Sequence, residues 1–400
     1  MESINTDNNS SQQIVSPSPQ ENADASGKTI PDPTPAPENK PLSENTPLSE
    51  NPPAPEHKHG RHFLHKKAAV LWSVIALIIV AAAIFFIPLF TGEAYADTII
   101  RIPRNATRET VKDSVAKYLG DDFAKKVIKA AKLRGSDFSA RHGAYLITEG
   151  MSPVKAEHVL SHGAQHPLTV TINGFRGIGT LSQRLARKLD FSDDEFIAQA
   201  TDPAVTIPYG LTPGQILSIF IDDSYEVYWS ASPADLIDKV GSHYNNVWNK
   251  ERKEKAAALG LTPAQVMTLC SIVDEETNKL DEKGTIGRLY INRLNSGMKL
   301  QADPTVRYAL GDFTIKRILT KHLSVDSPFN TYQHQGLPPG PIRTTSVATI
   351  DAVLDSQPHE FLYMCAKEDF SGYHNFAKTY SEHLENARRY QKALNDRGIK

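Results

Sequence analysis

The sequence predicts an α+β protein in which a disordered tail and one membrane-spanning helix precede two folded parts. Three observations support this prediction. Eleven of the 26 prolines lie within residues 1–60, and the run Ala68–Phe90 is apolar over 23 residues with only Ser73 and Pro88 interrupting it. The rest of the chain alternates short strand-like stretches with longer helical patterns, which is typical of mixed folds.

Residues 1–67 are predicted to form a disordered cytoplasmic tail. They contain few aromatic or branched apolar residues, so they cannot bury enough surface to offset the loss of chain entropy. Residues 68–90 follow as the spanning helix, because a helix rises about 1.5 Å per residue and the hydrocarbon layer is ~30 Å thick. Basic residues precede this run and acidic ones follow it, so we expect the C-terminal part to be exported.

A cleaved signal peptide is the alternative interpretation of the apolar run. Ala94-Tyr95-Ala96 resembles a cleavage site of the A-x-A kind. However, the run is longer than the apolar core of a signal peptide, and the 67 residues before it are too many for the charged region that starts one. These lengths favour an uncleaved anchor.

Composition and cysteine spacing argue against several classes of function. The net charge of −2 gives no indication of a nucleic-acid partner. Cys270 and Cys365 both stand among apolar neighbours, which allows either one disulfide or two buried free thiols. Metal-ligand spacing of cysteines is absent from the sequence, so neither a metal nor another cofactor is expected.

The exported region divides into three predicted segments. Residues 97–172 are a small mixed domain, with strands near 98–102, 143–147 and 168–172 and helices between them. Residues 173–242 are a helical connector without chemical signatures. Residues 243–400 are the second folded domain.

A helix is predicted from Thr262 to about Lys279. Thr262 serves as the N-cap, Pro263 occupies the first helical position, and Gln265 completes a capping box. The helix therefore has a clear start and carries an acidic run near its end.

The acidic run is Asp274-Glu275-Glu276. At about 100° per residue, Glu276 falls on the apolar arc between Leu269 and Ile272, whereas Glu275 points nearly opposite and Asp274 lies at the other edge. A carboxylate on an apolar face costs free energy unless it is paired or functional. Partial desolvation would also raise its pKa toward that of a general acid. A catalytic acid and a buried salt bridge are both consistent with this position.

Short blocks of residues occur in a recognisable order from this helix towards the C-terminal end of the sequence. The blocks are Ser271-Ile272-Val273-Asp274-Glu275-Glu276-Thr277, Asn292-Arg293-Leu294, Gly297-Met298, Leu300-Gln301, Asp303-Pro304-Thr305-Val306, Asn330-Thr331-Tyr332, Gly336-Leu337-Pro338-Pro339-Gly340-Pro341-Ile342, Leu362-Tyr363, His374, Phe376 and His383. With these blocks the chain resembles the endolytic murein transglycosylases of the YceG-like type. It departs from that family at Asp274, where a Glu is usual, at residues 172–177, where a Pro-Glu-Gly turn is usual, and at Leu384, where an Asn is common.

The resemblance implies a function and a layout. The enzyme would cleave the bond between N-acetylmuramic acid and N-acetylglucosamine in nascent peptidoglycan, leave 1,6-anhydro ends, and thereby terminate strand elongation. Glu276 would be the catalytic acid and base, residues 97–172 a LysM-like module, and residues 243–400 the transglycosylase domain. Peptidoglycan strands, the cytoplasmic membrane and peptidoglycan synthases would be its partners.

Five other polar residues are predicted to assist Glu276. Gln301, Asp303, Asn330 and Tyr332 lie in matched blocks and are candidates for contacts with sugar hydroxyl or acetamido groups. Hydrogen bonds within the loops are the alternative role, because Asp-Pro and Asn-Thr are also turn and capping sequences. Glu282 either orients Glu276 or is a solvated acid at a helix start.

Two other functions compete with the transglycosylase. One is a noncatalytic, membrane-anchored scaffold that only binds peptidoglycan, which the inward position of Glu276 disfavours. The other is a hydrolase that uses Asp274 and Glu276 as its two carboxylates. Two residues apart on a helix, these side chains point roughly 160° away from each other, so they do not converge on one bond.

Overall fold

The computed structural model describes residues 61–315 and 317–398, so residues 1–60 of the predicted tail lie outside the described residues. Helix α1 spans Arg61–Phe90, which starts seven residues before the predicted membrane segment. Its part Lys67–Phe90 is long and apolar enough to cross a membrane, and its most apolar window is not buried inside the protein. The prediction of an N-terminal apolar helix is therefore confirmed.

The smaller of two hydrophobic cores involves residues 94–160. An antiparallel strand pair and three helices surround it: β1 (Thr98–Ile102), α2 (Arg108–Leu119), α3 (Asp121–Arg134), β2 (Gly143–Ile147) and α4 (Pro153–His162). Thr107 caps α2 through a capping box, and Gly135 ends α3 in the left-handed conformation. Strands β1 and β2 agree with the predicted ranges 98–102 and 143–147, and helices lie between and after them as expected.

The larger core begins at Val170. The remaining elements, in chain order, are β3 (Pro167–Ile172), α5 (Ile178–Ala186), α6 (Asp193–Ala200), α7 (Pro203–Thr206), β4 (Asp223–Tyr228), α8 (Pro233–Val247), α9 (Lys250–Ala258), α10 (Pro263–Glu276), α11 (Leu280–Asn295), α12 (Asp303–Leu310), α13 (Val347–Leu354), β5 (Tyr363–Ala366), β6 (His374–Ala377) and α14 (Tyr380–Asp396). Short 3₁₀ turns occur at Ile207–Tyr209, Pro213–Ile219 and Thr320–His322. Three separate antiparallel pairs, β1–β2, β3–β4 and β5–β6, form the described sheets.

Strand β3 belongs structurally to the larger core, although the sequence grouped it with the small domain. It pairs with β4 from Pro167 opposite Tyr228 to Ile172 opposite Asp223, and its Val170 and Ile172 are buried in the larger core. Strand β4 was not predicted, because residues 173–242 were expected to form a helical connector. The domain boundaries themselves stay predictions.

Helix α10 lies in the middle of the larger core. Its capping box at Thr262 and Gln265 is confirmed, and most of its residues from Ala264 to Asp274 are buried. It ends at Glu276, about three residues earlier than predicted, because Thr277 adopts an extended conformation with φ −145°. Because the helix ends here, Glu276 is its last residue and lies partly buried at the edge of the larger core.

The two cysteines are free thiols in the structure. Cys270 is buried within α10, where its Sγ lies 3.8 Å from the carbonyl oxygen of Thr349. Cys365 is partly buried on β5. The interpretation as free thiols therefore fits better than the disulfide.

Candidate active site

A polar pocket of about 360 Å³ lies at the C-terminal end of α10. Helices α10, α11 and α14, strands β5 and β6, and the segment before α12 contribute its walls. Its lining residues are Glu276, Leu289, Tyr290, Arg293, Leu300, Gln301, Asp303, Tyr332, Met364, Cys365, Ala366, His374 and His383. Titratable and hydrogen-bonding side chains thus converge on one cavity of a size suited to a small polar ligand.

Glu276 is the carboxyl group of this pocket whose environment is most altered. Burial raises its pKa above the ordinary value, and the nearby charge of Asp303 raises it further. A hydrogen bond from the hydroxyl of Tyr290 to Oε1, 2.7 Å long, acts in the opposite direction because it stabilises the carboxylate. His374 also lowers this pKa. On balance the pKa of Glu276 lies above its ordinary value, which is the direction that suits a general acid.

Replacing Tyr290 with phenylalanine should move the alkaline limb of the pH–activity profile upward. The hydroxyl stabilises the carboxylate form, so its loss raises the pKa of Glu276 and keeps this acid protonated to higher pH. Activity at the optimum should fall by roughly 10- to 100-fold, since a hydrogen bond to a charged group contributes about 1.5–3 kcal/mol. The measurement is kcat/KM against pH.

Tyr244→Phe is the matched control, because this buried tyrosine lies on α8, outside the pocket lining. It should leave the profile unchanged. An alkaline limb that stays in place or moves down in Tyr290→Phe would show that Tyr290 does not tune Glu276.

Asp303 supplies a second carboxylate to the pocket. It begins α12 and is exposed, and one of its oxygens accepts a hydrogen bond of 2.6 Å from the hydroxyl of Tyr332. Gln301, two residues earlier, has a left-handed backbone with φ 49°, an uncommon conformation for a residue other than glycine. Its backbone N–H donates to the carbonyl oxygen of Thr331. Three of the predicted substrate contacts, Gln301, Asp303 and Tyr332, therefore do meet Glu276 in one pocket.

His374 faces the pocket and is held by Glu282. The buried carboxylate of Glu282 accepts from the backbone N–H of His374 at 2.8 Å and lies 2.8 Å from its ring Nδ1. With Nδ1 so engaged, Nε2 remains for another partner. Glu282 is neither solvated nor in the pocket lining, so the expectation of a solvated acid is corrected. Its contacts with His374 fit a positioning role, and its part in the reaction stays a prediction.

Asn330 also lies outside the pocket lining. It is fully buried, and its amide donates to the carbonyl oxygens of Leu323 and Val325 at 3.0 and 2.8 Å. Its Oδ1 accepts from the backbone N–H of Tyr332 at 3.0 Å. These bonds fit the loop-supporting alternative, in which Asn330 helps to position Tyr332, and the sugar contact of Asn330 stays a prediction.

Arg293 and His383 close the opposite wall. The Arg293 guanidinium donates to the carbonyl oxygens of Leu300 and Leu362 at 2.7 and 2.6 Å, which ties α11 to two loops. His383 stacks on Tyr363 with ring centroids 5.5 Å apart. Burial and then the charge of Arg293 lower the pKa of His383, which favours the neutral form of its ring. Within the described residues, Nδ1 of His383 is buried without a hydrogen-bond partner.

The other two acids of α10 point elsewhere. Asp274 is buried against Lys283 and Thr349 and lines a different pocket of about 430 Å³. Glu275 accepts two hydrogen bonds of 2.9 Å from Arg176 and one of 3.1 Å from Arg343. Asp274 and Glu276 thus do not share a pocket, in agreement with the directions predicted from helical periodicity. Glu275 does point away from Glu276, but it is buried in an ion cluster rather than solvated.

Tyr290 was not predicted from the sequence to be a residue of the site. The signal was present, because Ile286, Leu289, Tyr290 and Arg293 follow the i, i+3, i+4, i+7 spacing of an inward helix face. A tyrosine on such a face needs a partner for its hydroxyl. Which partner it finds depends on how α10 and α11 pack.

Among the described residues, no group of three or more His, Cys, Asp or Glu could hold a metal ion.

The chain that forms this pocket is similar to known proteins. The model of the YceG-like family matches residues 100–389, which covers most of the chain. The chain belongs to the YceG-like family. Its match thus includes every lining residue of the pocket, the smaller core apart from Ala94, and all strands apart from the first two residues of β1.

Curated relatives of this YceG-like chain carry one name. A Bacillus subtilis (strain 168) protein named endolytic murein transglycosylase is 32% identical over 162 residues, which are 40% of this chain and 43% of that protein. A protein of the same name from Streptococcus pneumoniae serotype 2 (strain D39 / NCTC 7466) is 28% identical over 155 residues, 36% of this chain and 26% of that protein. The match therefore spans less than half the length of these relatives.

A solved structure of a yceG-like protein from Listeria monocytogenes is also similar to this YceG-like chain. It is 21% identical in sequence, and the alignment covers 72% of this chain and 98% of that one with a TM-score of 0.49.

Proposed function

We propose that this chain is an endolytic murein transglycosylase, with the pocket at the end of α10 as its active site. The observation that carries the proposal is the raised pKa of Glu276, a partly buried acid that lies both in the region matched by the family and in the pocket. The names of the curated relatives support the same reaction. The substrate would be peptidoglycan glycan strands.

One acid is sufficient for this reaction. Protonated Glu276 gives its proton to the departing oxygen of N-acetylglucosamine as the bond to C1 of N-acetylmuramic acid breaks. The 6-hydroxyl of the same muramic acid then attacks C1, and the Glu276 carboxylate takes its proton. The acid is regenerated, no water is consumed, and a 1,6-anhydro end forms. Tyr290 steadies the carboxylate between the two steps.

The surrounding side chains would bind and orient the sugars. Asp303 and Tyr332 form a hydrogen-bonded pair on one wall, and Gln301 lies beside them with an exposed side chain. His374, fixed through Nδ1 by Glu282, offers Nε2 from the other wall. Hydroxyl and acetamido groups of the glycan match these donors and acceptors.

The products should carry 1,6-anhydro-N-acetylmuramic acid ends. Digestion of polymeric peptidoglycan by the full-length chain in H₂¹⁸O, followed by mass analysis of the released fragments, distinguishes the possible outcomes. A transglycosylase leaves anhydro ends without ¹⁸O. Hydrolysis is the second candidate function, because Asp303 gives the pocket a second carboxylate. Hydrolysis would leave reducing ends that carry ¹⁸O.

We also propose that α1 anchors the enzyme as an uncleaved membrane helix, with the N-terminus in the cytoplasm. The length and apolar surface of Lys67–Phe90 support the anchor. Cleavage after Ala96 would remove Ala94, which is 1% exposed and packs in the smaller core, with its backbone bonded to Met151 and Gly150. Loss of a core residue would destabilise this part, so the structure favours retention.

Anchoring would bring the pocket to newly made strands. We therefore propose that the enzyme cuts nascent glycan near the membrane, terminates strand elongation, and works beside peptidoglycan synthases. The part built on β1, β2 and α2–α4 would be a LysM-like module that binds glycan and positions the substrate. A purely noncatalytic scaffold would have no need for an acid tuned in this way.

A further inference from the structure

The exposed face of α3 carries a row of four lysines. Lys125, Lys126, Lys129 and Lys132 recur at helical spacing, while the opposite face of α3 packs in the smaller core. Acidic residues occur only in the first turn of this helix, at Asp121 and Asp122. The row is therefore a continuous positive strip rather than a mixed, neutral surface.

The lysine row lies against the end of α1. Lys129 Nζ donates a hydrogen bond of 2.9 Å to the backbone carbonyl oxygen of Phe85 and lies 3.6 Å from the centroid of its ring. Lys126 Nζ comes so close to Gly92 that a Cβ built there would be 3.0 Å from it. Phe85 is in the last two turns of α1, so the row sits at the level where a spanning helix leaves the hydrocarbon layer.

Exposed aromatic and apolar side chains accompany the row. Phe90 is 65% exposed at the end of α1, and Tyr95 is 67% exposed just after it. Leu133, next to the last lysine of the row, is also exposed. Aromatic rings and lysines with apolar stems are the residues that proteins place at the headgroup layer.

We propose that the lysine row binds anionic phospholipid headgroups on the membrane surface from which α1 emerges. The proposal rests on the membrane anchoring proposed above. Positive charges next to an anionic bilayer are attracted within a Debye length, and several together act additively. Such contacts hold the part built on β1, β2 and α2–α4 against the bilayer. They thereby restrict its rotation about the short segment between Phe90 and β1.

The test uses full-length protein in nanodiscs of phosphatidylcholine alone or with one part in three of phosphatidylglycerol. An amine-reactive reagent labels exposed lysines, and mass spectrometry measures the rate at each position. Labelling of Lys125 and Lys132 should slow by at least about threefold in the anionic discs, and high salt should restore it. Lys155, exposed on α4 of the same part, is the matched control and should react equally in both.

A variant with Lys125→Gln and Lys132→Gln provides a second readout. The lipid-dependent protection of Lys126 and Lys129 should weaken in it, since the remaining row attracts the headgroups less. Equal labelling of the row in both kinds of disc would overturn the proposal, as would equal protection of Lys155. Protection by a soluble polyanion but not by phosphatidylglycerol would instead assign the row to an acidic polymer. Failure of the protein to stay in the discs would refute the anchor and this proposal together, while leaving the anhydro-product test unaffected.

Discussion

Glu276→Gln should reduce transglycosylase activity by about 10³–10⁴-fold while the protein remains folded. Loss of general acid–base assistance typically costs about 10²–10⁴-fold, and here one carboxyl group serves both the protonation and the deprotonation step. Glutamine keeps the size of the side chain and can still accept a hydrogen bond from Tyr290. A neutral amide is no harder to bury than a carboxylate, so the melting temperature should stay close to that of the unmodified protein. The measurements are the initial rate on polymeric peptidoglycan and a thermal melt.

The control for this experiment must be an acid outside the pocket. Glu254→Gln is suitable, because Glu254 is exposed on α9 and its ion pair with Lys250 is loose, at 3.8 Å. It should retain full activity and stability. Full activity of Glu276→Gln with an unchanged melting temperature would show that the proposed mechanism is wrong.

Glu275→Gln should destabilise the protein by about 2–3 kcal/mol. The Glu275 side chain is 6% exposed and is the shared partner of Arg176 and Arg343. Removing one member of a buried ion cluster typically costs about 3–5 kcal/mol, because it leaves the other charges unpaired. We expect less here, since Arg176 is 39% exposed and water screens its charge. A loss of this size corresponds to a fall of roughly 5–10 °C in melting temperature.

The two neighbouring substitutions should therefore have opposite effects. Glu276→Gln removes activity and spares stability, whereas Glu275→Gln lowers stability and leaves the folded protein active, because Glu275 does not line the pocket. Glu254→Gln again serves as the exposed control. A melting temperature of Glu275→Gln within about 1 °C of the unmodified protein would contradict the stabilising role of the cluster.

Local signals in the sequence determined much of the fold. The apolar run of α1, the capping box of α10, and the strand patterns of β1 and β2 each depend on neighbouring residues, and each was predicted correctly. The inward position of Glu276 also followed from the sequence, because helical periodicity alone places it on the apolar arc. Family blocks then indicated the reaction.

Contacts between distant residues could not be predicted in this way. The pairing of β3 with β4 joins segments about 50 residues apart, and no local pattern shows which segment becomes the partner of β3. The partners of Glu282 and Glu275 lie 92 and 99 residues away in sequence, so local patterns could not show that these acids are buried.

The sequence by itself thus determined where helices begin, which segment fits a membrane and which acid faces inward, since these follow from local periodicity and end signals. Only the tertiary structure decided which polar groups meet that acid. Tyr290 reaches Glu276 and Glu282 fixes His374 because α11 packs beside α10 and β6. Hydrogen bonds act over about 3 Å, and only the packing of whole elements sets distances on that scale.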